Sequence, residues 1–226
     1  MREFLRARSV SEDWRASLPA EKDRLFDAAV AELETSYGML SVALNEALNL
    51  HAQGALGPAR AQVGISADLF RRLATRLLVP LRALEEHGRH FGTLPSLTPL
   101  NAEFFCGGTA QRIARKNHLL SKVLFPARSR FLHKLRALAE ITEELDGEFR
   151  EAAEAIAEGA TLCAGDPWRA LDALHYDVNT CLRELTVLLK SFLCALPNEE
   201  VQPFTQRFET VTEVSPLGSS TPVEKR

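Results

Sequence analysis

The sequence predicts an all-α fold, an up-and-down antiparallel bundle of four long helices, or five if the third divides at a proline. Three observations predict it. Apolar residues recur at alternating intervals of three and four over long stretches, the spacing that places them on one face of a helix. The stretches are joined by short connections marked by glycine and proline, and short loops between long helices force antiparallel neighbours. No stretch alternates apolar and polar residues as a half-buried strand would. With 226 residues, 46% of them hydrophobic and 25% charged, the chain has enough apolar material for one large core.

The first helix is announced by Ser17-Leu18-Pro19-Ala20-Glu21. Proline near the first helical position costs no hydrogen bond, and Glu21 and Asp23 suit the positive end of the helix dipole. Phe26, Val30, Leu33, Tyr37, Leu40, Leu44, Ala47 and His51 then follow in unbroken four-three alternation, a heptad seam of the kind found in coiled coils. Gly54 and Gly57-Pro58 end it.

The second helix is expected from about Pro58 to Phe91, on a seam that includes Val63, Phe70, Leu73, Leu77, Leu84 and Phe91. Pro80 lacks a backbone donor and is expected to kink it, since Leu77, Leu78, Leu81 and Leu84 carry the pattern past it. Gly92 to Pro99 reads as a loop. Asn101 is the expected cap of the third helix, with Phe104 and Phe105 as its first apolar residues. Its stripe runs from Ile113 through Leu120, Leu124, Phe131, Leu138, Leu145 and Phe149 to Ile156, and Pro126 either kinks or divides it.

The last helix opens on Gly165-Asp166-Pro167, with Asp166 as cap and Pro167 in the first turn. Its seam is Trp168, Leu171, His175, Val178, Leu182, Leu185, Leu189, Phe192 and Leu196, again without a miss. The expected organisation is a partly helical segment at 1–18, a bundle domain at 19–197 and a disordered tail at 198–226. Pro203, Pro216 and Pro222 and many Ser and Thr mark that tail, with Phe204 and Phe208 as docking points.

No apolar run approaches the roughly 20 residues that span a bilayer, and Met1 to Ser17 is charged throughout, unlike a signal peptide. A cytoplasmic protein is expected. Cys106, Cys163, Cys181 and Cys194 match no zinc or disulfide spacing and read as reduced thiols.

Charge is unevenly distributed along the chain. Residues 57–139 carry 14 Lys and Arg against 4 Asp and Glu, whereas residues 140–177 carry 11 acidic residues against Arg150 and Arg169. Arg112, Arg115, Lys116, Lys122, Arg128 and Arg130 are therefore the candidate contacts for a polyanion, either nucleic acid or an anionic membrane surface. Mutual neutralisation of the basic and acidic helices is the competing expectation. The net charge of −3 is unlike that of a dedicated nucleic-acid binder.

His51, His87 and His175 fall on the seams of three different helices. No Glu stands three positions before any histidine, so the di-iron pattern of ferritin-like bundles is absent. No metal and no cofactor is expected. The run Leu174-His175-Tyr176-Asp177-Val178-Asn179 resembles the phosphoacceptor helix of histidine kinases and their phosphotransferase relatives, although the acidic residue stands two positions after the histidine. That resemblance implies phosphotransfer at His175, and the place of this histidine on the apolar seam makes cofactor binding the alternative there. Motif patterns for nucleophilic elbows, phosphate-binding loops, zinc proteases and dinucleotide sites are missing. Glu143, Glu144, Glu148, Glu151, Glu154 and Glu158 fall mostly off the apolar stripe and read as a solvated face. The expected function is a non-enzymatic helical-bundle interaction or scaffold protein, working through a protein partner or self-association.

Overall fold

A computed structural model describes residues 19–90, 99–121, 127–160, 165–202 and 204–206. Among the described residues there are five α-helices: α1 (Ala20–Ala52), α2 (Leu56–His90), α3 (Gly107–Ser121), α4 (Ala127–Glu158) and α5 (Pro167–Ala195). Short 3-10 turns lie at Ala102–Phe104 and Asn198–Glu200. Among the described residues there is no strand, and no helix is long and apolar enough to cross a membrane.

The four long helices form an antiparallel bundle in which α1 packs on α2, α2 on α4, and α4 on α5, while α1 and α5 close the ring less tightly. Cross-helix pairs fix the directions. Gln62 of α2 donates to Glu46 of α1, and Arg76 reaches Ser36 and Glu32. Phe70 stacks on Phe149 of α4 at 4.2 Å, while Arg82 and Glu85 of α2 pair with Glu143 and Arg136. Between α4 and α5, Phe131 stacks on Phe192, and Lys134 pairs with Glu184. In each case residue numbers rise on one helix as they fall on the other. The shorter α3 lies along α4, again antiparallel, through Arg112, Lys116 and the Glu140–Glu148 segment.

The heptad seams are where the core is. Leu33, Leu40, Leu182 and Leu189 are all buried, as are Phe70, Leu77, Leu84, Phe131, Leu138, Leu145 and Phe149. Burying a side chain of this size contributes about 1.5–3 kcal/mol, so the stripes supply the main driving force. In α5 the buried face is wider than the seam: Leu174, Cys181 and Leu188 beside it are also buried, whereas Trp168 and His175 are half-buried on the flank towards α1.

Helix termini follow local chemistry. The side chain of Asp166 accepts from the Trp168 backbone N–H at 3.1 Å, with Pro167 in the first turn of α5. Gly54, at φ 76°, closes α1 in the left-handed conformation that glycine adopts without a Cβ penalty. Pro80 lies inside α2 and is buried, the helix continuing on both sides.

Two expectations need revision. Asn101 does not cap the third helix; its side chain accepts from Glu103 N–H at 3.1 Å and caps the 3-10 turn, and α3 begins at Gly107. Residues 198–206, expected within the tail, include helical turns, and Val201 and Phe204 are buried in the core. Phe204 packs against Phe192 and edge-on to His87, so apolar burial outweighs the polar composition there. Pro126 itself, the segment 1–18 and the tail from 207 onward lie outside the described residues, but of the two outcomes expected at Pro126 the antiparallel course of α3 and α4 on either side fits division and not a kink.

Candidate functional site

The basic segment faces its acidic neighbour. Arg112 of α3 reaches Glu148 and, at 3.0 Å, Glu144; Lys116 reaches Glu140 at 2.5 Å and Glu144 at 4.0 Å. These carboxylates stand four residues apart on α4 and the two cations four apart on α3, so one charged edge meets the other at every turn. The Glu148 and Glu144 charges hold the Arg112 guanidinium more firmly protonated, against the opposing effect of its own burial. Of the six candidate polyanion contacts, Arg112 and Lys116 are thus engaged within the molecule. Arg115 and Arg130 are exposed, Arg128 lies in the first turn of α4, and Lys122 is outside the described residues.

Asp177 is buried on the side of α5 that faces α3. Its Oδ1 accepts from the Cys106 backbone N–H at 2.6 Å, immediately before the first residue of α3. The thiol of Cys106 and the hydroxyl of Thr109 also bond to this carboxylate. One turn further along α5, the Thr180 hydroxyl donates to the Phe104 carbonyl at 3.0 Å. Asp177 therefore caps α3 from another helix, satisfying donors that a helix start leaves without intrahelical partners. Burial raises its pKa above the usual carboxylate value, and its hydrogen bonds pull the other way. The Cys106 thiol is also pushed up, by burial and by the neighbouring Asp177 charge. A thiol held protonated is a poor nucleophile.

His175 sits on a different face. Tyr37 of α1 stacks on its ring at 5.1 Å with an interplanar angle of 12°. Burial lowers the His175 pKa, with Asp172 opposing the shift, and burial raises that of Tyr37. Positions two apart on an α-helix point about 200° apart, so the histidine and the acidic residue of the phosphoacceptor-like run serve two separate interfaces. The imidazole Nε2 of His175 is buried, a setting unlike that of a side chain presented to a partner's active site. His51 stacks on Trp168 at 4.0 Å, two turns of α5 before His175, where α1 ends and α5 begins, and His87 lies among Phe192 and Phe204. The three seam histidines are not brought together. Among the described residues no group of three or more His, Cys, Asp or Glu could hold a metal.

A surface feature escaped the reading of seams. Val42 is 69% exposed, Met39 48% and Ile65 51%. The first two lie on α1 and the third on α2, on the outer side of that helix pair, and Leu56, also exposed, starts α2. Their signal in the sequence is that they are apolar yet off the stripe. Exposed Gly38 and Gly64 stand beside them, and a Cβ at either would meet nothing within 4 Å. No family model, curated protein or solved structure matches this chain.

Proposed function

We propose that the chain is a non-enzymatic interaction protein, a helical bundle that binds a protein partner on the outer face of α1 and α2. The observation that carries this reading is the concentration of Met39, Val42 and Ile65 on one face of a molecule whose core is already well filled. Isolated exposed apolar residues need no explanation, but a cluster rimmed by polar residues marks a contact site. The polar groups that could have served chemistry support the same reading: Asp177 is committed to capping α3, and His175 to stacking on Tyr37.

A photo-crosslinking side chain placed at Val42 or Ile65 of the full chain tests the proposal. Discrete adducts are expected from these two positions and not from exposed Glu154 on α4. Equal labelling from all three positions, or none from any, would overturn it.

A further inference from the structure

We infer that α3 is a detachable element: it lifts from α4 and α5 on a hinge at Gly107-Gly108 while the four long helices stay folded, and dissolved salt promotes the opening. This goes beyond the reading of the chain as an interaction protein and does not depend on the α1–α2 face.

Apolar burial holds the long helices together, and α3 has little of it. Between Gly107 and His118, Ile113 is the one large apolar side chain that is buried. An equal length of α4 buries Leu138, Ile141, Leu145 and Phe149. Buried apolar area sets how much free energy opposes a local opening. The stacked pairs that join neighbouring long helices, Phe70 with Phe149 and Phe131 with Phe192, involve no residue of α3. The rest of the bundle can therefore keep its core when α3 leaves.

Along its length α3 is held by charge. Arg112 meets Glu144 and Glu148, and Lys116 meets Glu140 and Glu144, with side chains between 29% and 60% exposed. Ion pairs this open to water weaken as salt rises. The firm anchors lie before the helix: Phe105 is buried, the Cys106 backbone N–H donates to Asp177, and Thr180 donates to the Phe104 carbonyl. Between anchor and helix stand two glycines. Gly107 has φ 43°, in the left-handed region, and a Cβ on Gly108 would meet only the end of the Arg112 side chain, at 3.9 Å. Such positions absorb the changes in φ and ψ that a hinge requires. Opening breaks the bonds of Thr109 to Asp177 and of Asn117 to the Leu100 carbonyl, and leaves the Cys106 anchor in place. It also turns Arg112 and Lys116 away from the acidic edge of α4 to join exposed Arg115 as a basic helix. With 15 residues, α3 has a length at which an isolated helix is marginal in water. Its amides therefore lose protection when it lifts.

Hydrogen exchange of the purified full chain, read by mass spectrometry, is the test. Peptides covering 109–118 should exchange at least roughly tenfold faster than those covering 138–149. Raising salt from about 50 mM to about 500 mM, which contracts the screening length about threefold, should speed α3 and leave α2 and α4 unmoved. Changing Glu140, Glu144 and Glu148 together to Gln should speed α3 roughly tenfold at the lower salt and remove most of its salt response. Ile113→Ala should also speed α3 but keep the salt response, because the ion pairs remain. Exchange of α3 in step with α4 would overturn the inference, since α3 would then open only when the whole bundle unfolds. Fast exchange of α3 that ignores salt would overturn it too, because the ion pairs would have no part in closure. The salt series uses the unaltered chain, so it decides the matter even where a variant fails to fold.

Discussion

Asp177 of α5 and Cys106 at the start of α3 are joined by a 2.6 Å hydrogen bond from backbone N–H to carboxylate, across 71 residues of sequence. One buried carboxylate thus fixes where a separate helix begins. Asp177→Ala should remove the cap and cost about 1–2 kcal/mol, read by chemical denaturation, with amide exchange accelerated first in α3. Asp177→Asn keeps an acceptor oxygen and should restore most of the loss.

The same residue carries a pH dependence. Its folded pKa is raised, so the folded protein holds the proton more tightly than the unfolded chain does. Stability from this group is complete below the unfolded carboxylate pKa and is lost as pH rises through the higher folded value. Asp177→Asn should flatten that part of the stability profile on the acid side of neutrality. An unchanged slope would show that the group titrates as it does in the unfolded chain.

His175 gives the opposite sign. Burial lowers its folded pKa, so its contribution is present above the unfolded histidine value of about 6.5 and is lost as pH falls through the folded one. His175→Phe preserves a stacking ring for Tyr37 and should reduce the acid-side loss of stability. It should not abolish that loss, because burial lowers the pKa of His133 as well. The imidazole signal of His175 in a proton NMR titration should move at a pH below that of an exposed histidine.

The seams were legible because burial in a bundle follows periodicity alone. Leu33, Leu40, Leu182 and Leu189 could be assigned to the core without knowing which helix they met. The cap of α5 was also legible, since Asp166 and its donor Trp168 are two residues apart. Asp177 was not: its partner is distant in sequence, and beside His175 it read as part of a phosphoacceptor-like run. Charge segregation was visible too, but only coordinates could pair Arg112 with Glu144 and Glu148. Met39 and Val42 were obscured for the converse reason, because attention to the apolar stripe passes over apolar residues that lie off it.

Lys134 and Glu184 form a buried ion pair, 2.7 Å apart with side chains 6% and 15% exposed. Removing one partner strands the other in a poorly solvated site. Lys134→Ala should therefore cost about 3–5 kcal/mol, whereas joint replacement by Met and Leu should be close to neutral or stabilising. A double-mutant cycle in denaturant measures this coupling directly. A loss below that of a surface substitution would show that water reaches the pair.

Arg112 and Lys116 decide how a polyanion would be received. Their ion pairs with Glu140, Glu144 and Glu148 are partly exposed, so each contributes about 0–1 kcal/mol and weakens with salt. The unaltered chain should bind a mixed-sequence duplex or anionic vesicles weakly, since a polyanion must displace three carboxylates to reach these cations. Changing Glu140, Glu144 and Glu148 together to Gln frees them, and binding should strengthen and become steeply salt-dependent. Tight, salt-sensitive binding by the unaltered chain would instead assign the basic segment a direct role, because internal neutralisation would then have failed to mask it.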